Sequence, residues 1–383
     1  MSRYSDSPVY ITGVAEAPLG EVVDQSELSM IALAARAALD DAGLTRQDVD
    51  GLFVNYLGEA GSVHVGEYLG IQPRYADSSD LGGAAFVAFL GHAWAAVQTG
   101  RCEVALIVYA SRQRSRRSRQ LSRWNERAAS PQFEQPYGLP APLGHFALLA
   151  ARHMHEHGTT EEQLAQVAVT AREWAAHNPK AWAREPLTVD DVLSARRICE
   201  PLGRLDYCLV TDGGGAIVLT SADRARDARG TPVRVAGTGE SHRQWHLPQL
   251  PSLAASPGAA SARTALQMAD VTPTDVDVFE PYDSSTISVL MALEDVGFCA
   301  PGESGGFVQD GNLALGSVLP SMTSGGGLSY CHPGALGLLL VVEAVRQLRG
   351  DAHGRQVPDA RVGLVHGIGG LFSTAATAVL VRD

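Results

Sequence analysis

The chain has 383 residues, 45% hydrophobic and 19% charged, with 40 glycines and a formal net charge of −12. That length exceeds what one core usually organises, so two core units or one duplicated unit are expected, and the glycine content suits a compact α/β enzyme with tight turns. The acidic balance argues against nucleic acid as a partner of the whole chain.

The opening segment "MSRYSDSPVYITGVAEAPLG" lacks a basic stretch followed by an apolar leader, and apolar runs such as "ALGLLLVVEAV" fall short of a membrane span. The expectation is a cytoplasmic protein with no membrane span. The five cysteines, Cys102, Cys199, Cys208, Cys299 and Cys331, are scattered and form no C-x-x-C pair. Free thiols are expected, with neither a disulfide framework nor a zinc site.

Residues 35–54, "ARAALDDAGLTRQDVDGLFV", align without a gap on residues 262–281, "ARTALQMADVTPTDVDVFEP", with nine identities including "DVD". Each copy reads as an Ala-rich amphipathic helix, a turn with a capping threonine (Thr45 or Thr272), and a strand. Each continues alike, through "DLGGAAFVAFLGHAWAAVQTG" and "EVALIVYAS" in the first copy and through "SGGGLSYCHPGALGLLLVVEAVRQLRG" and "RVGLVHGIGG" in the second. The pattern predicts two largely parallel sheets packed with their central helices buried between, and sites at the carboxyl ends of the strands. The halves are placed at residues 1–221 and 222–383. Residues 112 to about 205 do not repeat; they read as a helical insertion over the site, with a basic run, a Pro-rich turn "PYGLPAPLG" and helices through "HFALLAARHMHEHG" and "TEEQLAQVAVTAREWAAHNP".

Three features attract chemistry at first sight. In "HMHEH", only His153 and His157 share a helix face and no third ligand follows, so no metal site is expected there. The runs "DGGGA" and "GIGG" do not complete a dinucleotide fingerprint. In "SGGGLSYCHPGALG", residues 324–337, a phenol, a thiol and an imidazole stand together as Tyr330, Cys331 and His332. Cys331 is a poor candidate nucleophile for His332, because adjacent residues of an extended loop project to opposite sides.

The duplicated halves, the insertion, and "RHMHEHGTTEEQLAQVA", "AHNPKAWAREPLTVDDVL" and "PLGRLDYCLVTDGGGAIVL" resemble the thiolase superfamily, in its sterol-carrier-protein-like branch, over nearly the whole chain. The resemblance implies a thiolase fold, two duplicated halves in a five-layer α-β-α-β-α arrangement with a helical loop-domain insertion. It also locates departures. Where the family carries its acyl-accepting cysteine, the segment "SDLGGAAFVAF" has Gly82. The branch's "H-D-C-F" loop is matched by "PYDSST", giving Tyr282 in place of histidine and keeping Asp283. The "G-H-P" loop is matched by "CHPG", keeping His332, and the final loop carries His366.

This pattern, above all "EPYDSSTISVLMALEDVGFC" with "TSGGGLSYCHPG", resembles the thiolase-derived aldolases of bacterial steroid side-chain degradation. That resemblance implies retro-aldol cleavage of a β-hydroxyacyl-CoA to a steroid ketone and propionyl-CoA, with Tyr282 and Tyr330 as acid/base residues. No cofactor is implied beyond the CoA of the substrate. The chemistry needs a base for the β-hydroxyl proton and donors for the thioester enolate. A phenol with a reference pKa near 10 costs roughly 4 kcal/mol to ionise at neutral pH, so a coupled Tyr/His arrangement suits better than an isolated one. His332 and His366 are candidate donors to the thioester oxygen and Asp283 a candidate orienter of one of them; buried structural roles are the alternative for each. The seven arginines between Arg112 and Arg127 are either a solvated face or contacts for the CoA phosphates.

The resemblance further implies a homodimer, pairing through "EVALIVYAS", and a small separate partner with a zinc ribbon and an OB-fold. A thiolase-like acyltransferase and a noncatalytic acyl-CoA or lipid carrier are the rival readings. A carrier has no need of the tyrosine pair.

Overall fold

The computed structural model describes residues 7–55, 61–118, 130–246, 249 and 256–383. The first half begins with β1 (Val9–Glu16), α1 (Glu27–Ala42), β2 (Gly51–Val54), α2 (Gly61–Leu69) and β3 (Tyr75–Asp77), followed by the central helix α3 (Ala85–Gln98) and β4 (Val104–Ser111). The insertion carries α4 (Ser130–Phe133), α5 (Leu143–His157), α6 (Glu161–Ala176), α7 (Val189–Leu193) and the short ribbon β5 (Arg197–Cys199) and β6 (Leu202–Gly203). The chain re-enters the core through β7 (Gly213–Ser221). The second half holds α8 (Ala222–Ala225), β8 (Val233–His242), α9 (Gly258–Ala269), β9 (Val278–Pro281), α10 (Thr286–Val296), α11 (Ser304–Gln309), the central helix α12 (Gly337–Arg349), β10 (Val362–Gly369) and β11 (Thr374–Val381).

The duplication is visible atom by atom. In each copy the threonine of the turn and an aspartate three residues on cap each other, Thr45 with Asp48 and Thr272 with Asp275. The second aspartate of "DVD" then accepts backbone N–H groups where the next strand begins: Asp50 from Glu103 and Val104, Asp277 from Arg361 and Val362. These carboxylates clamp β2 beside β4 and β9 beside β10, which are the parallel pairs of the two halves.

The strands run β3-β2-β4-β7-β1-β8-β11-β10-β9, with the halves joined by a short antiparallel ladder of Tyr10 with Arg234 and Ile11 with Val233. The central helix α3 is apolar nearly all round, with Phe86, Phe89 and Leu90 fully buried, as expected of a helix with no solvent face over its first turns. It packs against β4 and β7 of one half and β8, β10 and β11 of the other, while α12 lies beside it. With α1 outside the first half sheet and α9 outside the second, this is the five-layer order.

Two expectations fail here. In place of two largely parallel sheets the strands form one continuous mixed sheet, parallel at β2–β3, β2–β4 and β9–β10 and antiparallel at β1–β7, β1–β8, β4–β7, β8–β11 and β10–β11, because β7 and β11 return as antiparallel partners beside β4 and β10. The second concerns the dimer strand. The strand "EVALIVYAS" is β4, and both of its edges are used: it pairs with β2 on one side and β7 on the other. It cannot add a partner's strand. The outermost strand of the first half is β3, which pairs only with β2.

Candidate active site

Tyr282 lies directly after β9, and His332 lies in the loop that leads into α12. The structure brings them together: the Tyr282 hydroxyl is 3.0 Å from His332 Nε2, and their rings meet edge to face. The same hydroxyl oxygen accepts the backbone N–H of Leu336 at 3.1 Å, at the head of α12, and lies 3.4 Å from the Gly334 carbonyl. Leu336 is the N-cap of α12, so one of the helix's unsatisfied donors and the positive end of its dipole face the phenol oxygen.

Glycine makes the space. A Cβ at Gly83 would lie 2.5 Å from the Tyr282 ring and 2.5 Å from the Ile368 carbonyl, so the tyrosine occupies the room a side chain at the start of the first central helix would take. Gly82 has a positive φ of 58°, and a Cβ there would come within 2.9 Å of the Gly370 backbone nitrogen. Thus Gly83 packs directly against the phenol ring, and Gly82 lets the chain pass close to the Gly369–Gly370 backbone.

Tyr330 stands apart from that pair. It ends a single π-helical turn, Gly326–Tyr330, a form frequent at functional sites. Its hydroxyl donates to Glu16 at the end of β1 at 2.5 Å. Glu16 also accepts Arg346 of α12 at 2.6 Å and Lys180 of the insertion. Burial alone would favour the acid form of Glu16, but Arg346 and Lys180 outweigh it and hold the carboxyl down to about 2. Burial and the Glu16 charge push the Tyr330 phenol well above its ordinary value, so it is a fixed proton donor.

Asp283 orients neither histidine. Its carboxylate accepts the Gly327 N–H at 2.6 Å and the Leu328 N–H at 3.0 Å, tying the loop after β9 to the π-helical turn. Burial raises it to about 7 despite those donors. His366 is also set apart, because strand alternation turns its side chain from the central layer: the vacant side-chain direction of its neighbour Gly367 faces Val87 of α3. The imidazole instead bonds Thr377 at 2.9 Å and sits beside Gly258 of α9, and burial lowers it to about 4. It therefore donates nothing on the Tyr282 side of the sheet. Cys331 is fully buried, lies 3.1 Å from the Thr211 hydroxyl, and is pushed up to about 12 by burial.

His153 ties the insertion to the second half, with Thr159 at 2.7 Å and Glu294 at 3.1 Å. Among the described residues no group of side chains is arranged to hold a metal ion, and no helix is long and apolar enough to cross a membrane. Of the basic run, Arg119, Arg123 and Arg127 lie outside the described residues. Arg114 is stacked 4.3 Å over Trp182, and both Arg114 and Arg117 line a cavity of about 590 Å³ with Arg204, Tyr207 and Cys208.

Some contributors left no local signal. Glu16 lies 314 residues from the phenol it binds, and Asp212, which accepts the backbone N–H groups of Val22, Arg114 and Ser115, anchors the start of the basic run from the far end of the insertion.

A two-half α/β core with paired central helices, an inserted helical region and a Tyr–His pair at the head of the second central helix defines a thiolase-like enzyme scaffold. Residues 239–382 match the thiolase C-terminal domain-like family. The chain is 36% identical to the 17-hydroxy-3-oxo-4-pregnene-20-carboxyl-CoA lyase of Mycobacterium tuberculosis over 96% of each chain. It is 35% identical to the steroid side-chain-cleaving aldolase of Thermomonospora curvata, over 89% of this chain and 90% of that protein. An acetyl-CoA acetyltransferase of Methanothermobacter thermautotrophicus is 32% identical over 98% and 99%. The solved Ltp2-ChsH2(DUF35) aldolase superposes with a TM-score of 0.90 at 32% identity, covering 98% of both chains. The chain belongs to the thiolase superfamily, and its relatives include steroid side-chain aldolases and lyases.

Proposed function

We propose that the protein is a carbon–carbon lyase that cleaves a β-hydroxyacyl-CoA by a retro-aldol reaction, with a 17-hydroxy steroid acyl group yielding a 17-ketone and propionyl-CoA. The observation that carries the proposal is the Tyr282 hydroxyl held between His332 Nε2 and the Leu336 N–H. The Tyr282–His332 pair takes the β-hydroxyl proton. The Cα–Cβ bond breaks, its electron pair moves onto the thioester as the enolate, and the β-carbon becomes the ketone carbonyl. Tyr330, held protonated above Glu16, supplies the proton that quenches the enolate at the α-carbon. One proton is taken and one returned, so no external cofactor enters the balance.

The 35% and 36% identical relatives named for this cleavage support the reading. Arg117 and Arg204, neither in an ion pair among the described residues, suit the CoA phosphates at the outer end of the 590 Å³ cavity. We assign the chain to the cytoplasm, as a homodimer meeting at the free β3 edge; a separate DUF35 partner is supported by the superposable Ltp2-ChsH2(DUF35) aldolase.

Acyl transfer, as in the 32% identical acetyltransferase, is the second reading. It calls for a side-chain nucleophile. Gly82 offers none, and the Cys331 thiol is buried and pushed up to about 12. Incubation with a 17-hydroxy steroid acyl-CoA and the DUF35 partner, followed by mass spectrometry, separates the readings. Propionyl-CoA and 17-ketone with unmodified protein support cleavage; a stable acyl increment on the intact protein supports transfer.

A further inference from the structure

The half-buried Gln113, whose Oε1 atom is shielded from solvent, has no role in the reaction as written, yet its placement is specific. The residue follows β4 and lines the inner wall of the 590 Å³ cavity that Arg117 and Arg204 border. Its Oε1 atom is buried with no hydrogen-bond partner, one of few such side-chain atoms among the described residues. A buried amide end left unpaired costs about 1–3 kcal/mol, so such a group is retained where something else pairs with it.

The neighbours fix which end of the cavity this is. Gly334 has a positive φ of 105°, and a Cβ on it would lie 2.2 Å from Gln113 Nε2, so the carboxamide fills the space beside Gly334. The Gly334 carbonyl is 3.4 Å from the Tyr282 hydroxyl. Tyr109, from β4, donates to the adjacent Pro333 carbonyl at 2.8 Å and holds the loop against this wall. Gln113 thus stands between the cavity that the two guanidinium groups border and the Gly334 carbonyl beside the Tyr282 hydroxyl.

We propose that Gln113 is a substrate-binding residue that pairs with the secondary amide of the pantetheine arm nearest the sulfur of the acyl-CoA. That amide lies only an ethylene unit from the thioester sulfur, and its N–H is a donor for the unpaired Gln113 Oε1 acceptor. Gln113 thereby sets the depth at which the thioester stops beside Tyr282. The inference rests on the acyl-CoA reading of the site.

The test uses binding, so that it survives even if no cleavage is found. Propionyl-CoA, which lacks a β-hydroxyl, is titrated calorimetrically into the wild-type chain and into Gln113→Met. An analogue with that amide replaced by an ester is titrated into both. Gln113→Met should weaken propionyl-CoA binding by about 5- to 30-fold, and the two proteins should bind the ester analogue within about twofold of each other. That equality also shows the variant to be folded and competent. Equal affinity of both proteins for propionyl-CoA overturns the inference, as does an equal loss with both ligands. Gln113-dependent binding without cleavage of a hydroxyacyl-CoA would leave the inference standing and refute the lyase.

Discussion

Replacing Tyr282 with phenylalanine removes one oxygen atom and almost nothing else. The ring keeps its place against Gly83, so no cavity opens. What is lost is the acceptor for the Leu336 N–H at 3.1 Å and the partner of His332 Nε2 at 3.0 Å, both at buried positions. Losing these two hydrogen bonds should cost about 1 kcal/mol each, so a stability loss of about 2 kcal/mol is expected. The rate loss is larger. Removing the group that receives the β-hydroxyl proton should lower kcat by about 10²- to 10⁴-fold, with KM for the acyl-CoA changed little, because the phenol contacts no part of the CoA arm in the proposed site. Urea unfolding reads the first number, and mass-spectrometric counting of propionyl-CoA under saturating substrate reads the second. A variant that unfolds about 2 kcal/mol earlier yet cleaves within threefold of the wild-type rate would refute the reasoning, for the hydroxyl would then be a structural hydrogen bond only.

Tyr330→Phe separates a proton donor from a packing residue: Glu16 keeps Arg346 and Lys180, so stability should fall by only about 1 kcal/mol while kcat falls about 10²-fold or more, and an unchanged rate would remove Tyr330 from the mechanism. His92 bridges Asp77 and Glu240, whose hydrogen bonds raise it to about 9 against partial burial. Its folded value lies above the unfolded one, so the stabilisation is complete below about pH 6.5 and lost as pH rises through 9. With screening it amounts to about 1–2 kcal/mol, and the gap in urea midpoint between wild type and His92→Gln should close between pH 6 and pH 10; a gap that persists contradicts the assignment. Light scattering should give a dimer for the wild type and a monomer for Ala76→Arg, which puts like charges at the exposed β3 edge; a dimeric variant would move the contact elsewhere.

The repeat was legible because the residues that survive in both copies perform backbone chemistry. Asp50 and Asp277 each hold the start of a strand through the same backbone hydrogen bonds, which accounts for the shared "DVD". Tyr282 and Tyr330 stand out in the sequence as departures from a family's loops and His332 as a residue that is kept, although the partition among them does not. It depends on Glu16 and Leu336, one distant in sequence and the other acting through its backbone. The side of the sheet that His366 faces follows from a period of two: the glycine beside it is the one that faces the central helix, and the imidazole lies beside Gly258 of α9. The dimer strand was misplaced. A run such as "EVALIVYAS" announces a buried strand, but strand order is a property of the whole sheet, and the interior position of β4 follows from β7 returning beside it after an insertion of about a hundred residues.

The two half sheets meet in only a two-rung ladder, yet α3 lies against strands of both. Neither half therefore owns a complete interior. Cut free, either repeat would present an apolar helix face to water and stay bound to whatever covered it. A chain of half this length could bury that face only by pairing with a second copy, so each repeat here serves as the other's partner. Covalently joined copies need not match: one central helix begins after bare glycines, while the head of the other meets a phenol and an imidazole.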